Sequence, residues 1–261
     1  MRLTFTTQNS MKNHNFKITL SYDGTKYNGW QNQKNTSNTI QEKLETLLSK
    51  MTGEKIEVIG SGRTDAGVHA LAQTANFHTD SEMSEQEILT YMNTYLPQDI
   101  AVSRVQQVNG RFHSRLNAKE KIYEYRILNS KIPNVFEHKY QYQIPQKLDV
   151  EKMREGAKHL AGTHDFQAFC STKKSKKSTE RILYSVGIQE NGSEIRIVFR
   201  GNGFLYNMVR IMTGTLIEIG LGKREPESIL ELFETKERSQ AGFKAPASGL
   251  FLVSVGYELD N

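Results

Sequence analysis

GSGRTDAGVHA, residues 60–70, puts Arg63 and Asp65 two apart in a stretch bracketed by Gly60, Gly62 and Gly67. Glycines of this density let the backbone take positive φ and let another group come close to it. Two readings of the charged pair are open. Asp65 can close an Asx-turn on its own backbone, as aspartates in glycine-rich turns do. Alternatively it is a site carboxylate, held ionised by an arginine, with Arg63 nearby or Arg210 from far along the chain as partner. The GxxxxGK[ST] pattern of a phosphate loop is absent.

Outward from that stretch the chain alternates between strand and helix signals. FKITLSY (16–22) has the period of a strand. TIQEKLETLLSKMTG (39–53) reads as a helix with a Thr39/Glu42 capping box, an apolar stripe through Ile40, Leu44 and Leu48, and a stop at Gly53. KIEVIG (55–60) and LAQTANFHT (71–79) are strands on either side of the loop. A second helix starts at Ser84, boxed by Glu87, and stops before Pro97; 100–108 is again a strand. The second half repeats the texture: strands at 121–128, 194–200 and 250–259, helices at 149–162 and 204–222, and a short helix opened by Pro226. The expected fold class is α+β, with two lobes, each a mainly antiparallel β-sheet backed by helices, and a site in the cleft between them. Residues 1–15 read as a disordered lead-in, 16–110 as the N-terminal lobe carrying the loop, and 111–261 as the C-terminal lobe.

Composition narrows the function. The 261 residues are 37% hydrophobic and 24% charged, ordinary for a globular protein. No apolar run reaches the roughly 18–20 residues that span a bilayer, and the N-terminus lacks the pattern of a secretory signal. Cys170 is the single cysteine, which excludes an internal disulfide and a cysteine-rich zinc site. The seven histidines form no HxxxH or HExxH pattern, so no metal is expected. Cytoplasm is the compartment these features suggest. A net charge of +5 is compatible with a polyanionic partner.

Three further features bear on a ligand. Tyr123 and Tyr125 share one face of a strand beside Lys119, Lys121 and Arg126. They suit either base stacking flanked by phosphate contacts or simple packing against a helix. The run STKKSKKSTER (171–181) carries Lys173, Lys174, Lys176 and Lys177; it reads as a solvated loop that can also serve as an electrostatic arm for a phosphate backbone. Arg210 interrupts an otherwise apolar helix stripe. The residues alone thus describe an aspartate-centred cleft protein with a basic surface, without naming a reaction.

The letters closely resemble the signatures of the tRNA pseudouridine synthase A family. The resemblance rests on GSGRTDAGVHA, SYDGTKYNGWQNQ (21–33), RFHSRLNAKEKIYEYRILN (111–129), GTHDFQAFC (162–170), GNGFLYNMVRIMTGTLIEIG (201–220) and APASGLFLVSVGYE (245–258). It runs from about Phe16 to the C-terminus and leaves residues 1–15 outside. It implies two α+β lobes around a basic RNA-binding cleft, a homodimer, no cofactor or metal, and isomerisation of uridine to pseudouridine at positions 38, 39 and 40 of the tRNA anticodon stem-loop. Carried over by position, Asp65 is the nucleophile, Arg63 displaces the target base, Tyr123 lies against the uracil, and Arg210 pairs with Asp65. Leu250 is similar to an apolar residue lining the base pocket. Gly62 is a further expected substrate contact, and so, through charge rather than the resemblance, are Lys173, Lys174, Lys176 and Lys177. Attack on the base and attack on the sugar are both compatible with these residues. A catalytically idle RNA-binding protein and a carboxylate-dependent hydrolase of sugars are the competing readings. The second needs a partner carboxylate that the sequence does not offer.

Overall fold

The computed structural model describes residues 14–172 and 178–258. The elements in chain order are β1 (His14–Tyr22), α1 (Ile40–Thr52), β2 (Val58–Gly60), β3 (His69–Thr79), α2 (Glu85–Tyr95), β4 (Ile100–Val108), β5 (Ala118–Leu128) and β6 (Tyr142–Gln143). There follow α3 (Val150–Leu160), β7 (Gly162–Asp165), β8 (Glu180–Asn191), β9 (Glu194–Gly201), α4 (Met208–Gly220), α5 (Ser228–Thr235) and β10 (Leu250–Tyr257).

The class is α+β, with a mixed, mostly antiparallel sheet backed by helices. Its strand order is β4-β1-β3-β10-β5-β9-β8-β7, with β2 added to β3 and β6 to β5. The final strand joins the two halves. β10 pairs in parallel with β3 (Phe251 opposite His69, Leu252 opposite Ala70) and antiparallel with β5 (Leu250 opposite Tyr125, Leu252 opposite Tyr123). That register carries the functional geometry: it sets the end of the 60–68 loop, the start of β10 and the tyrosines of β5 side by side.

Helix ends follow local chemistry. Ser84 and Glu87 form the full reciprocal box of α2. At α1 the Thr39 hydroxyl accepts from the Glu42 N–H, and Gly53 closes the helix in the left-handed region at φ 72°. Asp149 caps α3 by accepting from Lys152 N. Helix α4 is buried on every side except at Glu218, which marks it as a central helix rather than an amphipathic surface one.

The helix expected over 204–222 begins four residues late. Asn207 adopts φ 61°, so in place of a first helical turn the chain turns at Tyr206–Asn207, with Met208 N donating to Leu205 O at 3.1 Å. The Asn207 side chain donates to Ser171 Oγ at 2.9 Å, and a polar residue able to bond locally is among the few that tolerate this conformation. Pro226 lies in the turn ahead of α5, where its carbonyl accepts from Ile229 N, and is not the helix's first residue. β8 was not expected. Most of its residues are exposed, so the period-two signal is weak, and its start overlaps the charged run.

Candidate active site

The 60–68 loop is held from below by segment 21–33. Trp30 N donates to Thr64 O at 3.0 Å, Gly67 N to Tyr27 O at 3.3 Å, and the Tyr22 and Thr64 hydroxyls bond at 2.8 Å. Burial pushes the Tyr22 phenol up to about 12, so it is neutral in that bond. Two glycines are explained by close approach. A Cβ on Gly60 would lie 2.5 Å from the Trp30 indole, and one on Gly29, at φ 89°, 2.6 Å from Thr64 O. On the other side Ser61 is fully buried: its N–H donates to Thr74 O, its hydroxyl to Gln73 Oε1, and Gln73 Nε2 in turn to Gly62 O.

Asp65 turns its carboxylate to Arg210, whose Nη1 donates to Oδ2 at 3.2 Å. The side chain of Asp65 is 25% exposed and that of Arg210 11%. The Asx-turn alternative therefore does not describe Asp65; its turn is closed by backbone, with Val68 N donating to Asp65 O at 3.1 Å. Arg210 is fixed by the chain that crosses α4. Its Nε donates to Ala245 O at 2.8 Å, and Ala245 N donates to Arg210 O at 3.1 Å. That crossing is close because Gly214 has no side chain: a Cβ there would fall 1.8 Å from Phe243 O. A buried arginine with three acceptors, the third being Asn207 Oδ1 at 3.4 Å, is a rigid fork rather than a surface cation.

Above this pair opens a cavity of about 710 Å³ lined by Gly62, Arg63, Asp65, Tyr123, Arg210 and Leu250, together with Arg115, Lys121 and the Phe204–Val209 segment. The structure thus brings together six residues that the sequence singled out from four separate segments. Its charged lining is four cations, Arg63, Arg115, Lys121 and Arg210, against one carboxylate, Asp65. Arg63 is exposed at the mouth, its Nε donating to Gln31 Oε1 at 2.8 Å. Leu250, 5% exposed, opens β10 in the cavity wall.

The two tyrosines of β5 part company. Tyr123 lines the cavity with its ring edge-on to Phe204 at 5.0 Å, and burial pushes its phenol well up. Tyr125 is fully buried and donates to Pro246 O at 2.8 Å, so it is a packing residue. Arg115, Phe204 and Tyr206 were not among the expected site residues. Of the cations expected to flank the tyrosines, Lys121 lines the cavity, while Lys119 and Arg126 do not. Lys173, Lys174, Lys176 and Lys177 lie outside the described residues.

Residues 18–116 and 157–258 match the family model described as tRNA pseudouridine synthase. The chain belongs to the tRNA pseudouridine synthase family. Among its curated relatives, tRNA pseudouridine synthase A 2 of Bacillus anthracis is 47% identical over 244 residues, 94% of this chain and 100% of the relative. tRNA pseudouridine synthase A of Bacillus sp. (strain KSM-64) is 50% identical over the same spans. That of Thermoanaerobacter sp. (strain X514) is 44% identical over 93% of this chain and 99% of its own.

Proposed function

We propose that this protein isomerises uridine to pseudouridine in tRNA, at positions 38, 39 and 40 of the anticodon stem-loop, with Asp65 as nucleophile. The observation that carries the reading is the Asp65–Arg210 pair at the base of a cationic cavity, in a chain of this family. The target base must leave its stack before its glycosidic bond is accessible, at a cost of a few kcal/mol. Arg63, exposed at the mouth, is placed to occupy the vacated space. Asp65 then attacks the nucleoside, a carboxylate oxygen bonding to a carbon of the sugar or of the base. The N1–C1′ bond breaks, the base rotates, C5 bonds to C1′, the bond to Asp65 is broken again, the C5 proton is lost and N1 takes one up. Tyr123 and Leu250 bound the uracil. A phenol pushed so far up stays protonated at neutral pH and has no phenolate to take up a proton, which favours stacking over proton removal as the work of Tyr123. We further assign a homodimer and a cytoplasmic setting, as the resemblance to the family implies.

A sugar hydrolase fits the cavity less well, because Asp65 is the sole carboxylate among the described residues of its lining and a second is required. The site assignment is tested by incubating the protein with unmodified tRNA and mapping pseudouridine along the chain by carbodiimide adducts. New stops at 38, 39 and 40 are expected, and their loss when those uridines are replaced by cytidine. Modification confined to other positions would overturn the assignment.

A further inference from the structure

Lys121 and Arg115 are the two cations of the cavity lining that the proposed reaction leaves unused. Lys121 enters from β5, and its Nζ donates to Ser61 O at 2.8 Å. An ammonium has three N–H donors, and among the described residues Ser61 O takes one, leaving two toward the cavity that Lys121 lines. The amino group lies on the bare face of Gly62, where a Cβ would come within 2.8 Å of it. No side chain at position 62 can stand between it and a ligand.

Its electrical surroundings are one-sided. The charged groups acting on Lys121 are Arg115 and Arg181, both cations. Among the described residues none of the three makes an ion pair with a carboxylate, and the one carboxylate of the lining is engaged by Arg210. Burial, then these two charges, bring the Lys121 ammonium down to about 8. Lys121 is half-buried and Arg115 exposed; cations set together without a counter-charge repel one another, and an arriving anion relieves that repulsion.

Arg115 is held in place from behind. Its neighbour Ser114 is fully buried, with its N–H on Asn76 Oδ1 at 2.9 Å, its hydroxyl on Ile59 O, and its carbonyl accepting from the Tyr257 hydroxyl at 2.7 Å. Three separate strands therefore pin the residue that presents Arg115 to the cavity.

We propose that Lys121 and Arg115, over the bare backbone of Gly62, form a seat for one phosphodiester of the RNA backbone next to the extruded nucleotide. The seat rests on the tRNA reading above and adds to it a fixed point that sets which nucleotide reaches Asp65. Phosphate is the anion that fits: it accepts from two cations at once and is present at every step of the chain.

The test is a cycle between protein and substrate. Full-length tRNAs carrying single neutral methylphosphonate linkages across the anticodon arm are titrated with wild type, Lys121→Gln, Lys121→Arg and Arg115→Gln. One linkage beside a target uridine is expected to cost wild type about tenfold in Kd and Lys121→Gln less than about twofold, as charge-assisted contacts do. The slope of log Kd against log salt is expected to fall by about 0.7–0.9 in Lys121→Gln and to be kept in Lys121→Arg. Equal losses in wild type and Lys121→Gln at every linkage, or an unchanged salt slope, would overturn the seat and leave Lys121 as a brace for Ser61. If Lys121→Gln does not fold, Arg115→Gln and Lys121→Arg complete the cycle. Release of the C5 proton is measured in parallel, so a protein that discriminates the linkage but releases no proton sinks the isomerase reading and keeps the seat.

Discussion

Arg210 meets Asp65 from 145 positions away, and its guanidinium makes two demands on geometry at once: Nε on Ala245 O and Nη1 on Asp65 Oδ2. Lysine keeps the charge and loses the fork. Arg210→Lys is therefore expected to lower turnover about a hundredfold, the scale of a 1 Å misplacement, with tRNA Kd within twofold of wild type. Single-turnover kinetics beside filter binding checks this; a kcat near wild type would show that only charge is needed. Asp65 and Arg63 could be singled out in the sequence because a glycine-rich stretch with a charged pair is unusual, and Arg210 because it breaks an apolar stripe. The division of labour between Tyr123 and Tyr125 was not legible, since alternation puts both on one face. Their difference arises from Phe204 on one side and Pro246 on the other, which only the fold supplies.

At the scale of elements, the loop's shape is decided by segments it does not contain. Gly60→Ala would drive a Cβ to 2.5 Å from an indole that is 2% exposed. Overpacking of that kind costs about 1–3 kcal/mol, to be read as a lower urea midpoint; an unchanged midpoint would mean that Trp30 moves freely. The opening of β3 carries a second dependence, on pH. His69 is buried, accepts from Gly24 N at Nδ1 at 3.1 Å, has Nε2 3.1 Å from Lys139 O, and stacks on Phe251. Burial lowers its pKa below the ordinary 6.5; the nearby Asp23 opposes this and Arg126 adds to it. With the folded pKa depressed, the unfolded chain binds the proton first, so stability is full above 6.5 and is lost as pH falls below it. The melting temperature is expected to drop between pH 7 and pH 5, and to drop less in His69→Gln. Equal slopes in the two proteins would remove His69 from the account. The caps of α1 and α2 were legible from sequence because a cap is a local bond; at α1 the Thr39 half of the expected box is formed, and at α2 both halves. The late start of α4 was not, because Asn207 answers to Ser171, 36 residues earlier.

Over the whole molecule, β10 binds the halves into one sheet through its pairings with β3 and β5. Phe251 and Leu252 are buried at that seam, and each fully buried side chain of this kind contributes about 1.5–3 kcal/mol. The described residues are thus expected to unfold as one cooperative unit, with calorimetric and van't Hoff enthalpies equal. Two resolved transitions would contradict the continuous sheet. The sequence conveyed the α+β class and most strands through their periods. It could not convey that the last strand inserts between the third and the fifth, since pairing partners leave no mark on a strand's own alternation. The cavity depends on that insertion, because it sets Leu250 beside the loop and Tyr123 opposite Leu252.

The central claim is that Asp65, held by Arg210, carries uridine isomerisation in tRNA. Unmodified tRNA labelled with tritium at uracil C5 tests it most directly, by the tritium released to water when C5 bonds to C1′. Wild type is expected to release tritium from the anticodon arm, and Asp65→Asn to bind the same tRNA and release none. No release by wild type, or normal release by Asp65→Asn, would contradict the account.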